Sequence, residues 1–249
     1  MALSTESSWL HRHPTKAPPR LRLLCLPHAG GSASFFHGWG GAVGDDVELL
    51  AARYPGRQER IAEDPLDSLE ALADALADEL GPQLDLPLAV FGHSMGASVG
   101  YELALRLKER YGTGPEVLMV SGRKPPHLLT PRTAAFGGDA ALIAQVRRLG
   151  GTDARLLDDP ALRELVLPAI RADFAAVARY PARPGVPLDC PVVAYLGADD
   201  PDISTAEIWD WERLAPQGFG LRVMSGGHFY LVDRREELLL DIRSRLAPR

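Results

Sequence analysis

The chain has 249 residues, of which 46% are hydrophobic and 24% are charged, and its formal net charge at pH 7 is -6. This composition is typical of a globular protein, and no apolar run approaches the ~20 residues that a membrane-spanning helix needs. Nucleic-acid binding requires a concentrated basic face, which a net negative chain does not favour. We therefore expect neither a membrane protein nor a nucleic-acid-binding protein.

Residues 1–20 are polar and lack the apolar core and small-residue cleavage site of a secretory signal. The two cysteines, Cys25 and Cys190, each lie in or beside an apolar run, which indicates two reduced core thiols rather than a disulfide. No Cys/His cluster has the spacing of a zinc site. The expected location is therefore the cytoplasm.

Short apolar runs alternate with helical periodicity after a predicted N-terminal arm, residues 1–20. This alternation is typical of an α/β fold, with a mainly parallel sheet and helices on both faces. Strands are predicted at Leu21 to Leu26, Val47 to Ala52, Leu86 to Phe91, Val117 to Val120, Pro191 to Leu196 and Leu221 to Met224. Helices are predicted at Leu66 to Leu80, Ala97 to Arg110, Ala140 to Leu149, Ala161 to Tyr180, near Thr205 to Leu214, and at Arg234 to Leu246.

Two predicted helices follow each other between consecutive strands and interrupt the alternation. This arrangement predicts a helical lid at about residues 126–182, inserted in a single domain of residues 1–249. The apolar residues of the lid are expected to line a chamber for substrate and to exclude water. They are Leu142, Ile143, Val146, Leu149, Leu165, Ile170 and Phe174.

The pentapeptide Gly92-His93-Ser94-Met95-Gly96 lies between a predicted strand and a predicted helix. A serine in such a turn is the nucleophile elbow of serine hydrolases, in which the flanking glycines let strand and helix pass closely. The pattern also arises by chance in a chain with 24 glycines, but the flanking elements weaken that explanation. Ser94 is therefore the candidate nucleophile.

A serine nucleophile needs a general base, and the base needs a carboxylate that holds its tautomer. His228 follows the last predicted strand and two glycines, which makes it the candidate base. Asp199, Asp200 and Asp202 follow the preceding strand, and we choose Asp200 because Pro201 fixes the backbone directly after it. The order serine, aspartate, histidine is that of nucleophile-elbow hydrolases.

The loop after the first predicted strand, residues 27–34, is rich in small residues. In a serine hydrolase, a backbone N–H of this loop and that of the residue after the nucleophile stabilise the oxyanion. Ala29 and Met95 are therefore the predicted oxyanion-hole donors. His28 and His37 precede the nucleophile along the chain and are not expected to act as its base.

Together these motifs resemble those of type II thioesterases, which are α/β-hydrolases that act as separate proteins beside polyketide and non-ribosomal peptide synthases. The resemblance covers nearly the whole chain. It is carried by Leu26 to Ala33, Tyr54-Pro55-Gly56-Arg57 with Arg60, Gly92 to Ala97, Ser121-Gly122-Arg123, residues 199–201 and Gly226 to Phe229.

The resemblance implies that acyl thioesters are hydrolysed from the phosphopantetheine arm of acyl or peptidyl carrier proteins, which clears aberrant or stalled units. No cofactor or metal is implied, because the triad and the oxyanion hole contain the whole mechanism. Medium-chain fatty-acyl thioesterases share these motifs, and a small-ester hydrolase is another alternative. A third is an α/β-hydrolase fold kept as a binding protein, although no triad member is missing here.

Docking of an acidic carrier protein on a net negative chain requires a local cluster of positive side chains. The alternative is that such side chains are solvated surface or pair with nearby acids. The candidates on loops after predicted strands are Arg53, Arg57, Arg60, Arg123 and Lys124.

Overall fold

The computed structural model describes residues 7–130, 138–150 and 157–248. Within these residues, seven strands form one sheet in the order β1-β3-β2-β4-β5-β6-β7. β1 is antiparallel to β3, and the other neighbouring strands of this sheet are parallel. The strands are β1 (Leu10–Arg12), β2 (Leu21–Leu26), β3 (Val47–Ala52), β4 (Leu88–His93), β5 (Val117–Ser121), β6 (Val192–Gly197) and β7 (Phe219–Met224).

Helices cover the sheet and connect its strands. In the described part of the chain, no helix combines the length and the apolarity that crossing a bilayer requires. The α-helices are α1 (Gly40–Val43), α2 (Leu69–Leu80), α3 (Met95–Tyr111), α4 (Asp139–Leu149), α5 (Pro160–Arg179), α6 (Thr205–Trp209), α7 (Tyr230–Asp233) and α8 (Arg235–Leu246). Short 3-10 helices form at Ala33–Phe36, Gln58–Arg60, Gly81–Gln83, Pro126–Leu128 and Asp210–Leu214.

The strands separate two layers of hydrophobic core. On β2, Leu24 and Leu26 pack with residues of α2 and α3, while Leu23 and Cys25 pack with residues of α1 and α8. Because successive side chains of a strand point to opposite faces, a strand covered on both faces is apolar at consecutive positions. All residues of β4 are buried in this way. The predicted α/β fold with helices on both faces is confirmed.

The start of α2 shows how a local hydrogen bond sets a helix boundary. The helix begins at Leu69 rather than at the predicted Leu66, because the Ser68 side chain accepts a hydrogen bond from the Ala71 amide at 3.1 Å. Its apolar stripe is buried as predicted, and each fully buried leucine contributes about 1.5 to 3 kcal/mol through the hydrophobic effect. The buried residues are Leu69, Leu72, Ala73, Leu76, Ala77 and Leu80.

Two elements differ from their predictions. The prediction of an N-terminal arm is wrong for Leu10–Arg12, which pair with β3 as an edge strand, while residues 1–6 of that arm lie outside the described residues. Three residues are too few to show a period, although Leu10 is buried in the core. The helix predicted near Thr205 to Leu214 ends at Trp209, where a 3-10 turn replaces it.

The order of the strands determines where the site lies. β2 lies between β3 and β4, so the chain leaves β2 toward one edge of the sheet and leaves β4 toward the other. The crevice between two such loops is the place where open α/β sheets bind ligands. These loops carry Ala29 and Ser94. The loops after β6 and β7 carry Asp200 and His228 and leave the same edge, because these four strands are parallel.

The segment predicted to form the lid contains α4 and α5, which are the α-helices described between β5 and β6. Residues 131–137 and 151–156 of the predicted lid segment lie outside the described residues. The two helices form a small hydrophobic cluster of their own, since an amphipathic helix must bury its apolar stripe. The buried members of this cluster are Leu142, Val146, Leu157, Leu167 and Ile170.

Candidate active site

The turn between β4 and α3 has the tight geometry of a nucleophile elbow. Ser94 has φ 53° and ψ -114°, a conformation that non-glycine residues rarely adopt. A Cβ atom on Gly92 would lie 2.2 Å from the Gly96 carbonyl oxygen, and one on Gly96 would lie 2.1 Å from the Leu26 carbonyl oxygen. The two glycines are therefore required for strand, turn and helix to pass at these distances.

Backbone hydrogen bonds hold this turn in place. The Ser94 amide donates to the Ser121 carbonyl oxygen at 2.7 Å, and the Ser94 carbonyl oxygen accepts from the Ala97 amide at 3.0 Å. A non-glycine residue at positive φ persists only where its surroundings hold it, and such strain is common at functional sites. The strand, the neighbouring strand and the helix thus all contribute to the position of Ser94.

His228 and Asp200 form a buried pair beside this turn. The Nδ1 atom of His228 lies 2.7 Å from Oδ2 of Asp200, and the two side chains are 5% and 0% exposed. The other carboxylate oxygen, Oδ1, accepts a hydrogen bond from the Asp202 amide at 2.9 Å. A carboxylate held in this way accepts the Nδ1 proton of a neutral imidazole, so that the Nε2 lone pair is free to act as a base.

The loops that carry these two residues are held together by their backbones. The Ala198 amide donates to the Met224 carbonyl oxygen at 2.7 Å, and the Asp199 amide donates to the Gly226 carbonyl oxygen at 2.9 Å. A Cβ atom on Gly197 would lie 2.1 Å from the Gly227 carbonyl oxygen. The close approach of the β6 and β7 loops thus brings Asp200 to His228.

The other two aspartates of the loop have different surroundings. The side chain of Asp199 belongs to an exposed residue, and that of Asp202 forms an ion pair with Arg148 at 2.7 Å. Asp200 is the aspartate whose carboxylate is fully buried against His228.

Both predicted oxyanion-hole donors lie near Ser94. Met95 is the first residue of α3, where backbone amides have no partner within the helix and the helix dipole favours negative charge. Ala29 lies in the loop after β2, whose Pro27 carbonyl oxygen would be 2.8 Å from a Cβ atom on Gly96, and it lines the same cavity as Ser94. The structure therefore brings both residues to the nucleophile turn.

A cavity of about 220 Å³ lies above the turn. Its wall contains Ser94, His228 and Ala29 together with residues of the lid and of the β5 and β6 loops. The lining residues from α4 and α5 are Gln145, Leu149, Phe174, Val177 and Ala178. The other lining residues are His28, Gly122, Arg123, Lys124, Leu128, Leu129, Thr130, Tyr180, Asp202, Ile203 and Phe229.

The lid residues predicted to line a chamber divide into three groups. Phe174 and Leu149 line the cavity. Leu142, Val146 and Ile170 are instead buried in the hydrophobic cluster of α4 and α5 rather than in the cavity wall, and Ile143 packs against that cluster. The reason is that the two helices bury their apolar stripes against each other. The prediction is wrong for Leu165, which is 53% exposed.

Two further histidines lie close to His228. His28 packs between Phe35 and Phe229, and burial, followed by the nearby charges of His228 and Arg57, lowers the pKa of His28 to about 3. Its imidazole is thus neutral at physiological pH and is a poor proton acceptor, in agreement with the expectation that it does not act as the base.

Sequence reasoning missed the role of His93 in the packing behind Ser94. His93 is fully buried, its Nδ1 atom lies 2.9 Å from Ser121 Oγ, and Ser121 Oγ lies 2.7 Å from the Tyr230 hydroxyl. Burial and the neighbouring His228 lower the pKa of His93 well below its ordinary value, which keeps the ring neutral. A polar side chain inside the buried strand β4 was the signal in the sequence.

The arginines proposed for carrier docking form ion pairs or hydrogen bonds with other residues of the chain. Arg57 forms a bidentate ion pair with Asp173 of α5, and the Arg57 and Asp173 side chains are 10% and 2% exposed. The Arg60 side chain is 8% exposed and pairs with Glu63. Arg57 and Arg60 therefore do not offer free positive charge to a partner, and the prediction is wrong for them.

The remaining three basic side chains differ from one another. Arg53 lies 2.8 Å from the ring of His11, and Lys124 pairs with Glu207 at 2.5 Å. Arg123 lines the cavity and donates to Ser98, and burial lowers its pKa to about 10, so that it remains charged at neutral pH.

Comparison with known proteins identifies the family. The family model described as a thioesterase domain matches residues 21–246. The chain is 45% identical over 239 residues to thioesterase PikA5 of Streptomyces venezuelae, a match that covers 96% of this chain and 85% of that protein.

Two solved structures of similar proteins superimpose on nearly the whole chain. The type II thioesterase BorB from the borrelidin biosynthetic cluster has a TM-score of 0.88 and 38% identity, covering 98% of this chain and 100% of that one. The thioesterase RedJ from the prodiginine pathway of Streptomyces coelicolor has a TM-score of 0.83 and 38% identity, covering 94% and 91%. The chain therefore belongs to the thioesterase family, with the α/β-hydrolase fold and with the type II thioesterases of polyketide and non-ribosomal peptide clusters as its close homologues.

Proposed function

We propose that this thioesterase uses Ser94, His228 and Asp200 to hydrolyse acyl groups from the phosphopantetheine arm of acyl or peptidyl carrier proteins. It would thereby remove aberrant or stalled units from a polyketide or non-ribosomal peptide synthase. The observation that carries the proposal is the buried hydrogen bond of Asp200 to His228, on the cavity whose wall also contains Ser94.

In the acylation step, Ser94 Oγ attacks the thioester carbonyl carbon while Nε2 of His228 accepts the hydroxyl proton. Asp200 holds the imidazole in the required tautomer and stabilises the imidazolium that forms. The carbonyl oxygen becomes an oxyanion, which accepts hydrogen bonds from the amides of Ala29 and Met95.

The tetrahedral intermediate collapses when the carbon–sulfur bond breaks and the imidazolium of His228 gives its proton to the departing pantetheine sulfur. A water molecule then attacks the acyl-Ser94 ester, with His228 again accepting a proton and the same two amides stabilising the charge. Collapse returns the proton to Ser94 Oγ and releases the carboxylic acid. This chemistry requires no group beyond the side chains, the backbone amides and water.

Mass spectrometry of carrier proteins tests the proposal most directly. Acyl-loaded carrier protein incubated with the enzyme is expected to lose the mass of the acyl group, and kcat/KM for it is expected to exceed that for the same acyl group on N-acetylcysteamine by tenfold or more. Equal kcat/KM for the two substrates would contradict carrier specificity and favour a small-thioester or ester hydrolase. Binding without turnover would indicate a binding protein.

We also propose that residues 1–249 form one domain with the lid at about residues 126–182, and that the enzyme works in the cytoplasm. Cys25 and Cys190 are both buried and unpaired, which supports a reducing compartment.

Phe174 lines the cavity of about 220 Å³ whose wall also contains Ser94, and it provides a test of whether this cavity holds the acyl chain. Replacement of Phe174 by alanine should enlarge the cavity and raise the ratio of kcat/KM for octanoyl over propionyl thioester by about four- to fifteenfold. This range corresponds to one or two further buried methylenes of the octanoyl chain, each of which contributes about 0.8 kcal/mol. Leu165→Ala, on the exposed side of the same helix, is the matched control and should leave the ratio unchanged. The same chain-length profile in parent and Phe174→Ala would place the acyl pocket elsewhere.

A further inference from the structure

The carboxylate of Asp173 connects the lid to the loop that carries Ala29. Asp173 lies in the middle of α5, and its side chain is 2% exposed. Its Oδ2 atom accepts hydrogen bonds from the Gly30 amide at 2.7 Å and from Arg57 Nη1 at 2.6 Å, and its Oδ1 atom accepts from Arg57 Nη2 at 2.9 Å. One side chain of the lid therefore binds two separate loops of the main domain.

Arg57 completes the connection from the loop after β3. Its Nη1 atom also donates to the Gly31 carbonyl oxygen at 2.9 Å. The guanidinium thus lies between the lid carboxylate and the backbone directly after Ala29. Because this ion pair is nearly excluded from water, removal of either partner would leave a buried charge unpaired.

Apolar packing holds the same two surfaces together. Gly30 has φ 76°, and a Cβ atom there would lie 2.9 Å from Ile170 Cγ1, one turn before Asp173 on α5. The absence of a side chain at residue 30 therefore allows the lid helix to lie directly on this loop.

The fixed groups adjoin the peptide whose N–H would donate to the oxyanion. Asp173 fixes the amide of Gly30, Arg57 fixes the carbonyl of Gly31, and the Gly31 amide donates to the His28 carbonyl oxygen at 2.9 Å. With the peptide units on its carboxyl side restrained, Ala29 has little freedom to rotate its own N–H. Donors that are already oriented before the reaction stabilise an oxyanion best.

We infer that Asp173 is a positioning residue: through Asp173 and Arg57, the lid helix α5 holds the oxyanion loop in its active geometry. The inference rests on the proposed role of Ala29 in the reaction. It gives a function to the Tyr54-Pro55-Gly56-Arg57 motif, whose arginine is committed to this contact and not to a partner protein. It also means that hydrolysis is efficient only while α5 is docked on the main domain.

The test is the effect of Asp173→Asn on hydrolysis of a short acyl N-acetylcysteamine thioester. The variant keeps the size of the side chain but loses its charge and one acceptor oxygen for the amide of Gly30 or for Arg57. We expect kcat to fall about 10- to 100-fold with KM within twofold of the parent, because the loss concerns charge that develops only in the transition state.

The inhibition constant of a transition-state analogue is a measurement that would not change if Asp173 had only a structural role. The adduct of an acyl trifluoromethyl ketone with Ser94 carries an oxyanion, so its inhibition constant should rise by the same factor as kcat/KM falls. The matched control is Glu48→Gln, since the Glu48 carboxylate is also partly buried and pairs with Arg22 at 2.8 Å. Glu48→Gln should lower the melting temperature while kcat and the inhibition constant stay at parent values.

The results of these measurements distinguish a positioning role of Asp173 from a purely structural one. Asp173→Asn with a lowered melting temperature but parental kcat and inhibition constant would overturn the inference, and Asp173 would be a structural residue only. If Asp173→Asn does not fold, Arg57→Lys keeps the positive charge but loses the bidentate geometry, and it should show the same fall in kcat with unchanged KM. Parental kcat in Arg57→Lys would then overturn the inference. A parent enzyme that does not hydrolyse the thioester at all would instead contradict the proposed function.

Discussion

Replacement of Ser94 by alanine is expected to lower kcat for thioester hydrolysis by about four to six orders of magnitude and to leave the fold intact. The change removes only the nucleophilic oxygen, and alanine fits the turn because the Cβ atom at residue 94 is already accommodated at φ 53°. What remains is the weak rate with which water attacks a thioester held near the oxyanion hole. Turnover of a short acyl thioester, measured beside a thermal melt, checks both parts of the expectation.

Ser68→Ala is the control that separates activity from stability. Ser68 caps α2 and does not line the cavity, and the loss of its hydrogen bond to the Ala71 amide should cost about 1 kcal/mol of stability. Its kcat should equal that of the parent. Near-parental turnover in Ser94→Ala would require another nucleophile and would refute the interpretation of the elbow.

Replacement of Asp200 by asparagine is expected to lower kcat by about three to four orders of magnitude, whereas Asp199→Asn should change it less than threefold. An asparagine can present its amide group to Nδ1 of His228, which favours the tautomer with the proton on Nε2 and leaves no base for Ser94. Asp199 has an exposed side chain, so its replacement by asparagine should not disturb the imidazole. Steady-state kinetics of the two variants at neutral pH make the comparison.

Asp202→Asn serves as a second reference for this loop. Its carboxylate pairs with Arg148 of the lid, and its backbone amide, which the substitution keeps, binds Asp200. We expect a loss of less than tenfold. Equal, mild losses in all three variants would show that the carboxylate partner of His228 is a different residue.

The elements and the candidate site were predictable to different degrees, and the reason is the range of the interactions that define them. The turn at Ser94 depends on glycines two residues away, so its pattern is visible in five consecutive residues. Strands such as β4 are buried on both faces and therefore read as unbroken apolar runs. Asp200 and His228 follow predicted strands, and parallel strands bring their carboxyl ends to one edge.

Interactions between distant parts of the chain left little signal. The contact of Arg57 with Asp173 joins residues that are 116 positions apart. The residues around Arg57 therefore do not predict that Asp173 is its partner, and those around Asp173 do not predict Arg57. For the same reason, the sequence alone indicates Arg57 as a candidate charge for carrier docking. Leu142 and Val146 have the apolar spacing of a helix, but the spacing does not distinguish a surface that faces substrate from one that faces the neighbouring helix.

The short strand β1 affects how the molecule behaves toward other copies of itself. Without it, β3 would end the sheet with unpaired backbone groups on Leu49, Ala51 and Arg53. In the structure, the Leu49 carbonyl oxygen accepts from the His13 amide, the Arg53 amide donates to the Trp9 carbonyl oxygen, and Ala51 lies opposite His11 of β1. An open, apolar edge of this kind is a template for intermolecular strand pairing and aggregation. β1 itself offers only three residues, and Arg12 places a charge there in an ion pair with Glu48. The segment before the first parallel strand thus protects one side of the sheet against fibril-like association.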